Sequence, residues 1–317
     1  MGNLTRTLCL TVIMGVVILL MMSVRLALVV AEENLIVMIT SQEAAPYKEV
    51  LSGFRRYLTQ HGTNAAFEEY SLQSDPTRAI QVLQEVKKKG PRVILTVGSL
   101  ATQAAVKEAS DIPLIACMVV KADDLQKTAN ATAVEIDFPL EIQLQWLQRF
   151  LPGNRSVGVL FNPRENREKI TAATKVARNL GLKLVAREVE TPQALPDALD
   201  SLAKEADVLW GVTDQMVLSP QTAEPILLFS FRNRIPFTGL STSWVKAGAL
   251  YALDRDYTDL GAQCGEMAFK VLQGTKASSL PPASPRKVTY ALNLKTAQQM
   301  KVEIPQSLID GAQQVFK

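Results

Sequence analysis

The sequence predicts an α/β fold of two doubly wound parallel-sheet lobes joined by a hinge of three crossings. Three observations carry this. Short, continuously apolar runs such as Leu35–Ile39, Val93–Val97 and Val157–Phe161 are what strands covered on both faces of a parallel sheet require. Each is followed by a stretch of helical apolar spacing, so strand and helix alternate in units of roughly thirty residues that demand right-handed crossovers. Finally, Ile235–Gly274 strings together a strand, a small helix, a second strand and a helix with its own cap, the pattern of a chain passing between lobes.

The elements follow in order. After Leu35–Ile39 and a polar loop to Pro46, Val50, Leu51, Phe54, Tyr57 and Leu58 recur at helical spacing until Gly62. Ala65–Tyr70 is a strand, and Asp75-Pro76 opens a helix with Ile80, Leu83 and Val86 inward and Lys87–Lys89 as a solvated last turn. Val93–Val97 is a strand, Gly98-Ser99 starts a small-residue helix to Ala109, and Ile112–Met118 is a strand again. The alternation continues through strand Ala133–Ile136, a helix opened by Pro139 and stopped at Leu151-Pro152-Gly153, strand Val157–Phe161 and helix Glu165–Leu180. Strand Lys183–Glu188, helix Ala194–Ala206, strand Val208–Gly211 and helix Gln221–Arg234 complete the series.

Beyond Ile235 a strand stops at Gly239, a small helix spans Ser241–Lys246, and Ala249–Leu253 is a further strand. Asp254, Asp256 and Asp259 are turn and cap residues for a helix carrying Leu260, Cys264, Met267, Ala268 and Val271. After the Pro-rich loop Pro281–Pro285 come a third crossing near Val288–Leu292 and helices from Leu294 and Pro305. The expected division is residues 34–138 plus 255–286 for one lobe and 139–254 plus 287–317 for the other.

The N-terminal segment stands apart. Leu8–Met22 is almost wholly apolar, Arg6 precedes it, no acidic residue occurs before Glu32, and Val29-Val30-Ala31 offers a small-residue cleavage point. Residues 1–31 therefore read as a secretory signal peptide, with an uncleaved membrane anchor as the alternative. Leu8 ahead of Cys9 argues against lipidation. With 34 Lys and Arg against 31 Asp and Glu, the chain has no concentrated basic composition for a nucleic-acid partner. Cys117 ends an apolar strand and Cys264 lies on the apolar side of a helix, far away in sequence; they read as two separate buried thiols, although export permits a disulfide.

In open parallel sheets, ligands bind at the carboxyl ends of the strands. That rule selects Ser41 to Tyr47, Gly98-Ser99, Met118 to Lys121, Asn162, Thr213-Asp214 and Leu240 to Ser243, with Ser241 a hydroxyl candidate. Gly98-Ser99 is the sharpest: a glycine after an apolar strand and a serine at a helix start present N–H groups and a hydroxyl to an anion. Asp214 and Asp256 suit an ammonium group, or else cap the elements that follow them. Tyr47 and Trp244 stand in polar loops, whereas Trp210 reads as core and Phe161 as either. Catalysis finds little support. The single histidine, His61, sits beside Gly62 at a helix end, and neither paired-cysteine nor HExxH metal spacing nor a GxxxxGK[ST] phosphate loop occurs. No cofactor or metal is expected.

The run KAGALYAL, then DYTDLG, then GEMAFKVLQG and the tail NLKTAQQMKVEIPQSL, with TVGSLATQAA, DIPLI, SVGVLFNP and GVTDQM upstream, resembles the ABC-transporter substrate-binding family related to tryptophan- and tyrosine-binding proteins. The resemblance covers roughly residues 35–312, in the right order. It implies the periplasmic-binding-protein type I fold and a monomeric, extracytoplasmic receptor that hands an amino-acid-like ligand, held between its lobes, to an ABC permease in the membrane. It also implies a ligand carboxylate at Gly98-Ser99 and polar contacts from Thr213-Asp214 and Asp256. Where many relatives carry a Thr-Asp pair after the strand ending at Met118, this chain has Val120-Lys121. The alternative within the same fold is a membrane-tethered sensing module.

Overall fold

The computed structural model describes residues 34–120, 125, 128–153 and 155–317. The N-terminal apolar segment with Cys9, and Lys121, lie outside the described residues. The chain divides into two compact units. One comprises the residues up to Ala133 together with Gly261–Pro281; the other comprises Val134–Leu260 and Pro282–Lys317. The chain thus passes from unit to unit at three points.

The first unit contains β1 (Asn34–Thr40), α1 (Ala45–Gln60), β2 (Ala65–Ser71), α2 (Pro76–Lys89), β3 (Val93–Val97), α3 (Ser99–Glu108) and β4 (Leu114–Val119). With β5 (Ala131–Glu135) the strands form a sheet in the order β2-β1-β3-β4-β5. The pairs β1 with β2, β1 with β3 and β3 with β4 are parallel. Alternation along each strand sends Val37, Ile39, Ile94, Leu114 and Ala116 into one apolar cluster with α2 and α3. Their neighbours Ile36, Met38, Leu95, Ile115 and Cys117 point the other way and are just as buried.

Asp75 caps α2, its carboxylate accepting the Thr77 N–H at 2.7 Å, and Gly90 ends the helix at φ 59°. The inward stripe of α2 is Ala79, Val82, Leu83 and Val86, and Ile80 is 44% exposed, contrary to its expected inward place. The small Ala79 holds the core position one step earlier, which turns Ile80 about 100° away. Nor is Lys89 simply solvated. Its ammonium meets Glu68 at 2.7 Å, Glu85 at 3.0 Å and the Tyr70 hydroxyl at 2.7 Å, tying the end of α2 to edge strand β2.

The second unit holds α4 (Leu140–Phe150), β6 (Ser156–Phe161), α5 (Pro163–Asn179), β7 (Lys183–Glu188), α6 (Leu195–Leu202) and β8 (Val208–Trp210). They continue into α7 (Pro220–Asn233), β9 (Phe237–Gly239), α8 (Thr242–Ala247) and β10 (Tyr251–Arg255). After α9 (Tyr257–Leu272), whose residues from Gly261 belong to the first unit, come β11 (Val288–Asn293), α10 (Leu294–Met300), α11 (Gln306–Asp310) and β12 (Gln314–Phe316). The sheet order is β12-β11-β10-β9-β8-β6-β7. All pairs are parallel save β10 with β11, which is antiparallel, so the expectation of wholly parallel sheets fails at this edge. The chain re-enters the unit at Pro282, and β11 begins with Val288 paired to Arg255, the last residue of β10, so it runs back along that strand. Phe150 stacks on Tyr251 at 3.9 Å and meets Tyr290 edge-on at 5.2 Å, fixing α4 against this part of the sheet.

Candidate functional site

In the first unit, three strand ends converge on the start of α3. Gly98 follows β3 with φ 91° and ψ 163°, a conformation open to glycine and costly to other residues. It is also hemmed in: a Cβ at Gly98 would lie 2.7 Å from the Ser41 Oγ and 3.0 Å from the Tyr47 hydroxyl oxygen. Glycine therefore lets Ser41, after β1, and Tyr47, on α1, approach the same point. Ser41 is 5% exposed, and its Oγ accepts the Ala101 N–H at 3.0 Å. The helix is thus capped by a serine sixty positions upstream, while Ser99, expected at the cap, occupies the first helical turn and is exposed.

That exchange leaves a donor set unused. The Ala101 N–H is taken by Ser41 and the Thr102 N–H by the Gly98 carbonyl at 3.2 Å, whereas the Ser99 and Leu100 N–H groups and the Ser99 hydroxyl have no acceptor among the described residues. Thr102 Oγ1 donates to the Gly98 carbonyl at 2.9 Å and meets Thr96 Oγ1 at 2.9 Å, which holds the turn rigid. Burial pushes the Tyr47 phenol above its ordinary pKa, so it stays a hydroxyl donor. Aligned peptide dipoles add positive potential at this helix end. Free N–H groups and a hydroxyl at a helix start are groups that can hydrogen-bond an anion.

A concavity of about 380 Å³ opens beside it, lined by Ser99, Thr102, Gln103, Val106, Val119, Val120 and Leu125. Val120 is 45% exposed, so the residue that departs from the family's Thr-Asp pair presents an apolar side chain to this space. Just before it, Met118, within β4, sits at φ 58°, an unfavourable conformation for a long side chain. A second, polar concavity of about 310 Å³ lies on the other side of Tyr47, among Gln42, Glu43, Lys48, Glu69 and Tyr70.

In the second unit, Asn162, Thr213 and Asp214 stand together at the ends of β6 and β8, but Asp214 is a clamp. It is 2% exposed and both oxygens are engaged. One accepts from the Asn162 N–H at 2.7 Å and Asn166 Nδ2 at 2.9 Å; the other accepts from Met216 N–H at 3.1 Å and Val217 N–H at 2.8 Å. With four internal donors on its carboxylate, Asp214 ties two loops together, which is the capping role that stood as the alternative to an ammonium contact. Asn162 caps α5, its side-chain oxygen accepting the Arg164 N–H at 3.0 Å. Thr213 gives its carbonyl to Asn166 at 3.0 Å, and its exposed hydroxyl has no partner among the described residues. Ser241 precedes α8 without a side-chain cap bond, and its half-buried hydroxyl likewise has no partner among the described residues.

Asp256 caps α9, accepting the Asp259 N–H at 2.9 Å, with its other oxygen 3.5 Å from Lys287 Nζ. Asp259 itself is gripped by Arg286 through Nε at 2.9 Å and Nη2 at 3.1 Å. Burial works to raise its pKa, but the hydrogen bonds and charges of Arg286 and Lys287 win and hold it below the usual aspartate range. Of the aromatic candidates, Phe161 and Trp210 are buried in the core, and Trp244 packs edge-on against Phe237 at 5.4 Å. Among the described residues no group of His, Cys, Asp and Glu is placed to hold a metal ion. Sequence reasoning missed Asn166, whose amide braces Asp214, and the capping of α3 by Ser41; the only signal for either was a polar residue next to a strand end.

Comparison with known proteins places these features in a family. The family model for ABC transporter substrate binding proteins matches residues 34–316. A tyrosine-binding protein of Clostridioides difficile is 23% identical over 252 residues, 76% of this chain and 72% of that one. Among solved structures, the ligand-free, open structure of a Clostridium difficile substrate-binding protein with adhesive properties has a TM-score of 0.76 at 22% identity, covering 90% of this chain and 99% of that one. An ABC domain in complex with L-Trp from Streptococcus pneumonia has a TM-score of 0.62 at 18% identity, covering 90% and 100%. At such identities the structures speak for the fold, two α/β lobes of the periplasmic-binding-protein type, while the family match runs across nearly the whole described chain: the protein belongs to the ABC transporter substrate-binding protein family.

Proposed function

We propose that this chain is the extracytoplasmic solute-binding component of an ABC importer and that it captures small amino-acid-like ligands by their carboxylate. The observation that carries the reading is the start of α3. Ser41 supplies the cap, and the N–H groups at Ser99 and Leu100 and the Ser99 hydroxyl have no partner among the described residues. A carboxylate there gains charge-assisted hydrogen bonds and the favourable end of the helix dipole. The apolar side of the adjoining space, with Val106, Val119 and Val120, suits an apolar side chain on the same ligand. The tyrosine- and tryptophan-binding relatives agree with this chemistry. Residues 1–31 direct export, and a membrane permease of the importer receives the cargo.

The test is a thermal-shift comparison of L-tryptophan, L-tyrosine, L-leucine and their carboxamides. An acid present at a hundredfold excess over its Kd adds about 2.7 kcal/mol to the folded state and raises the midpoint accordingly. The carboxamide of the same residue should give no shift, and Ser99→Ala should weaken the acid roughly tenfold, the loss of one hydrogen bond to a charged group. Equal shifts from acid and amide would remove the carboxylate reading.

A further inference from the structure

At the rim of the second sheet one enclosed cation lacks a matched partner. β10 runs parallel to β9, and Ala252 pairs with Gly239, the last residue of β9, so the end of β10 at Arg255 extends beyond that strand. This is the carboxyl edge of the sheet, where Asn162, Thr213 and Ser241 follow their strands and where open parallel sheets bind ligands. Alternation along β10 puts Tyr251, Leu253 and Arg255 on one face. Tyr251 and Leu253 pack in the apolar cluster with α4, and the Arg255 guanidinium lies over the ring of Phe138, just ahead of α4, with Cζ 5.2 Å from the centroid. Its side chain is only 14% exposed.

A guanidinium so enclosed needs acceptors for its N–H groups. Arg255 Nε has no hydrogen-bond partner among the described residues. The ion pair with Asp254, Nη1 to Oδ1, is 3.9 Å long, beyond hydrogen-bond reach. The strand itself is the reason: successive side chains leave opposite faces of β10, so Asp254 does not swing round to grip its neighbour, and its Oδ1 accepts the Arg255 backbone N–H at 2.8 Å. Other carboxylates of these segments are claimed. Asp137, beside Phe138, holds Lys169 at 2.7 Å; Asp256 faces Lys287 at 3.5 Å; and Asp259 is shared by Arg286 at 2.9 Å and Lys287 at 3.2 Å. The phenol of Tyr257, which opens α9, is held above its ordinary pKa, by burial first of all, and so brings no charge.

From this imbalance we infer that Arg255 is a ligand-binding residue of the second unit, and that the group it takes is an oxyanion of the solute, a carboxylate or a phosphoryl group. Its planar fork of N–H donors matches either through two parallel hydrogen bonds. The Phe138 ring sets the plane of that fork before the solute arrives, and the enclosed surroundings strengthen the contact. A buried charge without a matched partner lowers the stability of the empty protein, and the arriving anion compensates it. Arg255 therefore serves binding and not folding.

The inference rests on the solute-binding reading but not on the start of α3, and the variants keep the two apart. The protein, Ser99→Ala, Arg255→Met and Arg255→Lys are titrated by thermal shift with L-tryptophan, L-glutamate and inorganic phosphate at constant ionic strength, with L-tryptophanamide and L-glutamine as the matching amides. At least one of the three oxyanions should raise the wild-type midpoint saturably. Arg255→Met should weaken that probe about tenfold or more, with Arg255→Lys in between. Tryptophan without its amide identifies an α-carboxylate, glutamate without glutamine a side-chain carboxylate, and phosphate a phosphoryl group. The ligand-free midpoint of Arg255→Met should equal or exceed that of the wild type, because the stem still packs on Phe138 and an unmatched charge is gone. A lower ligand-free midpoint, or failure of Arg255→Met to fold, makes Arg255 structural and overturns the inference. Undiminished affinity in Arg255→Met for every probe that the wild type binds overturns it as well, as does silence of all three oxyanions on the wild type. Loss of tryptophan in Ser99→Ala with every affinity kept in Arg255→Met leaves the α3 reading standing alone; the reverse pattern keeps Arg255 and removes the α3 reading.

Discussion

Asp214 separates a binding residue from a structural one, and Asp214→Asn tests which it is. The substitution preserves volume and leaves one oxygen to accept from Met216 and Val217. The other position becomes an amide pointing at two donors, the Asn162 N–H and Asn166 Nδ2, or the group flips and offends the opposite pair. Two hydrogen bonds to a buried charge are lost, at about 1.5–3 kcal/mol each, and relaxation recovers a part, so the expected loss is roughly 3–5 kcal/mol. For a unit of this size that corresponds to a fall in midpoint of about 10 °C. The assay is simple because the three tryptophans, Trp146, Trp210 and Trp244, all belong to the second unit. Tryptophan fluorescence during urea unfolding reports on that unit, and ligand titration below the transition reports on binding. The reasoning is refuted if the variant unfolds at the wild-type midpoint yet has lost ligand affinity, for then the carboxylate serves the ligand and not the loops.

Three further outcomes follow from the same geometry. Gly98→Ala should cost about 2–4 kcal/mol in stability, from a backbone conformation that alanine avoids and a Cβ set against Ser41 and Tyr47, and should weaken carboxylate binding more than Ser99→Ala does; both are read in one denaturation and titration series. Gly261→Ala should destabilise the first unit by about 2–4 kcal/mol, since the Val50 backbone has no room to yield, as followed by far-ultraviolet circular dichroism. Asp259, with its folded pKa depressed, contributes stability that is fully present above the unfolded aspartate value and is lost as pH falls through the lower folded one. Stability of the wild type should therefore fall more steeply below about pH 4 than that of Asp259→Asn, measured as urea midpoints across the acid range; parallel curves would contradict the assignment.

The parts of the fold that were legible are those where local pattern and tertiary place agree. Buried parallel strands must be apolar on both faces, which is why Val93–Val97 was found to the residue. Direction and partner are different matters. Nothing local in Val288–Asn293 says that it runs against β10, and Gln314–Phe316 is too short and too exposed to announce a strand. The candidate site shows the same division. Strand ends followed by small polar residues pointed to the start of α3, to Asn162 and to Thr213-Asp214, yet sequence is silent on who bonds to whom. Ser41 proved to be the cap of α3 and Asp214 proved to be saturated, both through contacts between residues far apart along the chain.

Each unit is discontinuous, and this governs the order in which the protein can be made. The first sheet is synthesised by Ala133, but the helix that backs it, with Gly261 against Val50, arrives more than a hundred residues later, roughly ten seconds at ordinary rates of synthesis. The second sheet waits longer still, for β11 and for β12. A ribosome-bound intermediate therefore holds two half-built cores, neither with its closing piece. Neither core can close before those pieces are made, so deleting β11 and β12 should yield aggregation in place of a smaller receptor.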